Sequence, residues 1–148
     1  MKKIIAVSLL AGLFATSAFA GTPTTPTART LVDGYLELRS GTATNINLAE
    51  QFALTARTSR AGFVKNNFET TLSANVAAGV SDLAGTSRFG TVAGSNKGYT
   101  VFTGSSVGGS VSQCGPQVDK AKATNLAAGL VVTGTLDLAN ANGCGIAP

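Results

Sequence analysis

The chain of 148 residues is 44% hydrophobic but only 12% charged, and it has a formal net charge of +4 and no histidine. Average proteins carry about 25% charged residues, so a charge-rich disordered chain is excluded. The lack of histidine removes the commonest general base of acyl transfer and the commonest ligand of zinc and haem. The composition therefore disfavours a catalyst before any motif is considered.

The first twenty residues have the layout of a secretory signal peptide. Two lysines after Met1 precede an apolar run at residues 4–15, and the small residues Ala18 and Ala20 close it. A membrane anchor is the weaker alternative, because a spanning helix needs about 20 apolar residues. Removal of residues 1–20 leaves a net charge of +2 and about 128 residues, enough for one domain. We expect a bacterial protein that is secreted or held at the cell surface, with the periplasm as a transit compartment and no membrane span.

The mature chain is predicted to begin with an extended Thr/Pro leader at residues 21–29, because proline removes backbone donors and favours extended neighbours. Residues 30–148 are rich in Thr, Val, Ala and Gly, with turn residues every ten or so positions. This spacing predicts one mainly-β domain, an antiparallel sandwich or barrel-like fold of about 7–9 strands with room for one short helix.

Alternation of side chains locates the individual strands. The clearest strand is predicted at residues 68–80, where Leu72, Val76 and Val80 share one face with the other even-numbered residues. Residues 48–57 fit either a short helix or a strand, since Asn47 and Glu50 have the spacing of a capping box. Helical turns are predicted within residues 119–128. Further strands are predicted at residues 32–38, 44–48, 90–93, 98–103, 106–112, 126–133 and 135–138.

The two cysteines are predicted to form a disulfide. Exported proteins meet an oxidising compartment, where Cys114 and Cys144 would close a loop of about thirty residues. Loop entropy assigns on the order of 3.5 kcal/mol to such a bond. A redox or metal pair is the weaker interpretation, since the chain has neither a Cys-x-x-Cys motif nor a histidine partner.

Motifs for catalysis, metal binding and nucleic-acid binding are not found. The glycines of residues 104–108 have the spacing of a nucleophile elbow but lack the central serine. Residues 57–65 combine basic and aromatic side chains, yet a solvated turn explains them equally well. No carboxylate pair, phosphate loop or calcium loop has the required spacing. We therefore expect no enzyme activity, no cofactor, no metal and no nucleic-acid partner.

A low-charge surface suits a protein whose copies pack against one another. The segment after the leader could add as an extended strand to the open sheet edge of a neighbouring copy. In pattern only, it resembles the donor strands of bacterial surface pilins. The simpler alternative is that it forms the first strand of its own sheet. The alternating residues of the candidate interface are Val32, Gly34, Leu36 and Leu38.

The resulting hypothesis is an exported structural or adhesive subunit that forms a homopolymer, as a pilus-like filament or a surface or biofilm matrix. The alternative is a monomeric secreted or periplasmic module that binds a glycan or a protein. A hydrolase ranks last, because no nucleophile and base can be named.

Overall fold

The computed structural model describes residues 25–119, 121 and 127–146. The predicted signal peptide and the first residues of the leader lie outside this part of the chain. Eight strands make the fold mainly β, which confirms the predicted class and strand number. In chain order they are β1 (Thr27–Thr30), β2 (Gly34–Arg39), β3 (Glu50–Thr55), β4 (Phe68–Leu72), β5 (Val76–Leu83), β6 (Arg88–Ser95), β7 (Val101–Ser105) and β8 (Ser112–Cys114).

The strands form two sheets of unequal width. Three strands pair in the order β1-β3-β4, and five pair in the order β2-β5-β6-β7-β8. Neighbouring strands are antiparallel except for β1, which runs parallel to β3. Because β1 and β2 belong to different sheets, residues 31–33 connect one sheet to the other.

The five-stranded sheet buries apolar side chains on both faces. On one face, Leu38 of β2 and Val80 of β5 pack against Phe52 and Leu54 of the three-stranded sheet, together with Leu31. The side chains of the intervening strand residues point to the other face, because successive side chains of a strand alternate between its two faces. This second face carries Ala77, Val92 and Val101, and it packs against a C-terminal segment through Ala127, Ala128 and Val131.

The prediction of one continuous strand at residues 68–80 is wrong. Residues 68–72 lie in the three-stranded sheet as β4, and residues 76–83 lie in the five-stranded sheet as β5. A turn at residues 73–75 separates them, and Asn75 adopts a φ of +63°. Asparagine tolerates this left-handed conformation better than most residues. The alternation of the sequence continues through the turn, so periodicity alone could not reveal the break.

Two predicted strands are turns instead. In residues 44–48, the backbone N–H groups of Ile46 and Leu48 bond to carbonyls three residues earlier, and Leu48 is exposed. In residues 106–112, Gly108 and Gly109 have positive φ angles of 139° and 84°, which a regular strand does not accommodate. Only Ser112 of that range belongs to a strand, at the start of β8.

The C-terminal strands predicted at residues 126–133 and 135–138 are also wrong. Residue 126 lies outside the described residues, and short 3-10 helices occupy Ala127–Leu130 and Thr133–Thr135. The apolar run buries Ala127 and Ala128 against the five-stranded sheet rather than joining its edge. Most of the range predicted to hold helical turns, residues 119–128, falls on residues 120 and 122–126, which lie outside the described residues. Its last two residues begin the first of these 3-10 helices.

Other predictions are confirmed or shifted. Residues 48–57, left open between helix and strand, contain strand β3. Residues 90–93 lie within β6, and the strand predicted at 98–103 begins later, at Val101. The strand predicted at 32–38 corresponds to β2, which begins at Gly34.

Candidate assembly interface

The candidate interface is formed by strands that, in the part of the chain the structure describes, have a partner strand on one side only. These are β1 and β4 in the three-stranded sheet and β2 and β8 in the five-stranded sheet. An edge strand directs alternate N–H and C=O groups away from its own sheet, where they can pair with another extended chain. Three of these edge strands carry charged side chains, for example Arg29 on β1, Glu37 on β2 and Glu69 on β4.

The structure places the four predicted interface residues in two different settings. Val32 is 44% exposed and lies in the connection between β1 and β2. Gly34 begins β2 with a φ of +118°, a conformation that favours glycine. Leu36 and Leu38 lie in β2 and pack into the protein's own core, while β2 pairs with β5. β2 is therefore the first strand of its own sheet, the simpler alternative considered from the sequence.

The sequence did not indicate a paired strand before residue 30. β1 includes Thr27, Ala28 and Arg29 from the predicted leader, and it pairs in register with β3, Ala28 opposite Ala53. Three of its four residues are exposed. With Ala28 as its single apolar residue, β1 gives no alternation to detect, and only the β-branched threonines favour a strand.

Leu31 anchors β1 to the core. Its side chain is 3% exposed and packs against Phe52 and Leu54, among others. Its backbone N–H donates to the carbonyl of Thr55 at 2.9 Å. At the start of the strand, the Thr27 hydroxyl donates to Glu50 Oε1 at 2.8 Å. These contacts all connect the N-terminal strand to β3 or to the apolar cluster beneath it.

The connection after Leu31 is fastened at Asp33. Its Oδ1 accepts a hydrogen bond from the backbone of Ala84 at 3.0 Å. Arg57 Nη1 lies 3.1 Å from the same oxygen, in the geometry of an ion pair rather than of a hydrogen bond. Asp33 thus ties the β1–β2 connection to the turn after β5 and to the loop after β3.

An open cleft of about 420 Å³ lies between β1 and β2. Its charged lining comes from Arg29, Glu37, Arg39 and Glu50. Glu50 Oε2 lies 3.9 Å from Arg39 Nη1. The cleft is therefore lined by charges of both signs. It separates β1 and β2, which belong to different sheets.

Arg39 is a buried cation with a structural role that its sequence position does not reveal. It is 3% exposed, and it donates to the carbonyls of Leu48, Ser73 and Val76. Burial lowers the pKa of Arg39, while the neighbouring Glu50 acts in the opposite direction. The guanidinium joins the loop after β2 to the turn between β4 and β5.

One half of the five-stranded sheet carries an exposed apolar face. Ala78, Ala93 and Phe102 are paired in register across β5, β6 and β7, so they point to the same face. Ala78 is buried, Ala93 is half-buried and Phe102 is 46% exposed. The three-stranded sheet packs against this face at β2 and β5. The same face remains accessible at β7, where Phe102 lies. Val111, 69% exposed, lies nearby over Gly104.

The predicted disulfide between Cys114 and Cys144 is confirmed, with Cα atoms 5.3 Å apart. Cys114 ends β8 and is fully buried. The backbone of Cys144 forms an isolated antiparallel β-bridge with that of Leu136. Next to the bond, Gly145 donates its N–H to the carbonyl of Thr135 at 3.0 Å. The disulfide therefore fastens the C-terminal segment to the edge of the five-stranded sheet.

A second cavity, of about 360 Å³, opens beside the disulfide. Three amide side chains line it, from Gln113, Asn140 and Asn142. Asn140 donates to the carbonyl of Cys144 at 2.6 Å, and Asn142 Nδ2 lies 3.3 Å from Ser112 Oγ. Neutral amides can donate and accept hydrogen bonds, but they supply neither a nucleophile nor a base.

Within the described ranges, no group of three or more His, Cys, Asp or Glu side chains could hold a metal ion. The same part of the chain contains no helix long and apolar enough to cross a membrane. Comparison of the chain with protein-family models, curated proteins and solved structures finds no match. The interpretation of function therefore depends on the geometry of the molecule itself.

Proposed function

We propose that the protein is an exported structural or adhesive subunit whose copies assemble into a pilus-like filament or a surface or biofilm matrix. The observation that carries this proposal is the exposed edge strand β1, which among the described residues pairs only with β3. Such a strand can leave its sheet without disturbing the order of the other strands. Association of copies through it would need only main-chain pairing and one apolar anchor.

Two further features support self-association. The accessible apolar face at Phe102 and Val111 offers surface that a neighbouring subunit could bury. The low charge of the chain reduces repulsion between copies. The disulfide supports export, because such bonds persist in oxidising compartments.

The experiment is negative-stain microscopy and size-exclusion chromatography of the protein purified from an export-competent host that expresses the full chain. We expect concentration-dependent oligomers or filaments. A monodisperse monomer at every concentration and ionic strength would overturn the proposal. Matched samples in high salt and in low salt separate edge pairing from simple charge attraction, since only the latter weakens strongly with salt.

The cavity beside the disulfide favours a second candidate, a monomeric module that binds a glycan or a peptide. Gln113, Asn140 and Asn142 place amide donors and acceptors around an open space, and such groups hydrogen-bond to hydroxyls and to peptide groups. A glycan array with the wild-type protein and with Asn142→Ala would distinguish this function. Binding by a monomer, lost in the variant, would support it over assembly.

A further inference from the structure

We infer that residues 27–31 leave their own molecule and pair with β3 of a second copy, with Leu31 as the apolar anchor and residues 32–34 as the hinge. This inference rests on the proposed function and specifies its contact.

The contacts of β1 are of a kind that a second copy can reproduce. The backbone ladder, the Leu31 N–H bond to Thr55 and the Thr27 bond to Glu50 all go to β3. The side chain of Leu31 packs into a cluster that contains Phe52 of the same strand. An identical chain offers an identical receiving edge, so exchange replaces each contact within the molecule by the same contact between molecules.

The connection that would act as the hinge is short and largely outside the core. Val32 is exposed, and Gly34 has a φ of +118° with no atom within 4 Å of the Cβ that another residue would carry. Three residues carry the chain from one sheet to the other, and short hinges favour exchange between copies. The connection is held closed by the contacts of Asp33 with Arg57 and with the Ala84 N–H. It is also held by backbone pairing of Asp33 and Gly34 with Asp82 of β5.

Detaching β1 from its own sheet costs free energy at only a few groups. Three of the four residues of β1 are already exposed, so leaving the sheet uncovers little side-chain surface apart from Leu31. The exposed β3 edge and Leu31 are covered again when a second copy binds. The equilibrium between closed monomer and exchanged assembly therefore depends on protein concentration and on the hinge rather than on new contacts.

Cysteine pairs test the exchange. Ala28 and Ala53 face each other in register, and adjacent strands lie about 4.8 Å apart, within the range that a disulfide spans. We expect a mixture of the single variants Ala28→Cys and Ala53→Cys to form disulfide-linked dimers during assembly. In the double variant, the bond forms within one molecule and should reduce assembly several-fold.

The matched control uses Gln51 and Thr71, which pair in register between β3 and β4 and stay within one molecule under this proposal. The mixture of Gln51→Cys and Thr71→Cys should form several-fold less linked dimer, and its double variant should assemble as the wild type does. If the wild type assembles but the Ala28→Cys and Ala53→Cys mixture links no better than the control, strand exchange is wrong and the proposed function stands. If the wild type never assembles, both are wrong.

Discussion

Arg39 donates its Nε–H to the backbone carbonyl of Val76 at 2.8 Å, and the same guanidinium also bonds to the carbonyls of Leu48 and Ser73. One buried side chain therefore satisfies three main-chain acceptors from two parts of the chain, the loop after β2 and the turn between β4 and β5. Unpaired buried acceptors are costly, because they lose their water without gaining a partner.

We predict that Arg39→Met lowers the free energy of unfolding by about 3–5 kcal/mol, the usual cost of removing one member of a buried charged network. Urea denaturation followed by circular dichroism measures it. Arg29→Met is the matched control, since Arg29 is exposed on β1. Its effect should stay within about 0.5 kcal/mol. Equal effects of the two substitutions would contradict the role given to Arg39.

Leu31→Ala should lower the free energy of unfolding by about 2–5 kcal/mol, because it removes a buried side chain and leaves a cavity. The neighbouring Val32 is 44% exposed, so Val32→Ala should change stability by no more than about 0.5 kcal/mol. Thermal and urea unfolding of the two variants would compare them directly. A Leu31→Ala variant as stable as Val32→Ala would show that β1 is not anchored through this side chain.

Replacing both disulfide cysteines by alanine should lower the free energy of unfolding by about 3.5 kcal/mol, from the loop that the bond closes. Hydrogen exchange should locate the change in the C-terminal segment, at the N–H of Gly145 and its neighbours, since these groups depend on the fastening at Cys144. Exchange in β3 serves as the internal control. Uniform loss of protection across both sheets would argue against a local fastening.

Burial raises the pKa of Tyr35 to about 12, and the charge of nearby Glu37 acts in the same direction. The folded state therefore favours the neutral phenol, so the contribution of Tyr35 to stability is complete below pH 10 and is lost as the pH rises to about 12. Phenolate absorbance should report this titration. Tyr35→Phe should flatten the fall of stability across the same interval, and an unchanged slope would contradict the assignment.

Gly62→Ala should destabilise the loop after β3, because the added Cβ would lie 1.9 Å from Asp82 Oδ2. Asp82 is buried, and its Oδ1 accepts the N–H of Phe63 at 2.6 Å, so the carboxylate cannot move without losing that bond. Gly85→Ala is the control, with no atom within 4 Å of its Cβ. Chemical denaturation should separate the two variants clearly. Equal midpoints would contradict the steric argument.

The sequence was sufficient for the fold class because alternation and turn residues depend on local chemistry. It located β6 and predicted the pairing of Cys114 with Cys144. It failed where tertiary packing decides the structure, as at residues 127–130, whose apolar side chains cover a sheet face instead of forming a strand.

The candidate site was harder to predict, since its decisive residues carry no periodic signal. Thr27, Ala28 and Arg29 form a strand only because β3 offers them an edge and Leu31 finds a buried position. The candidate interface predicted from the sequence lies a few residues later, where Leu36 and Leu38 alternate well because they belong to the protein's own core. The strongest alternation thus indicated a core strand rather than an accessible one.

Donation of β1 to the β3 edge of a neighbour sets the symmetry of any assembly that grows beyond a reciprocal pair. Each subunit would give its N-terminus to one neighbour and accept that of another, a head-to-tail relation that extends without limit unless the ring closes. Such a fibre is polar. One terminal subunit has an unfilled acceptor groove and the other a free N-terminal strand, so growth at the two tips would proceed by different steps and at different rates.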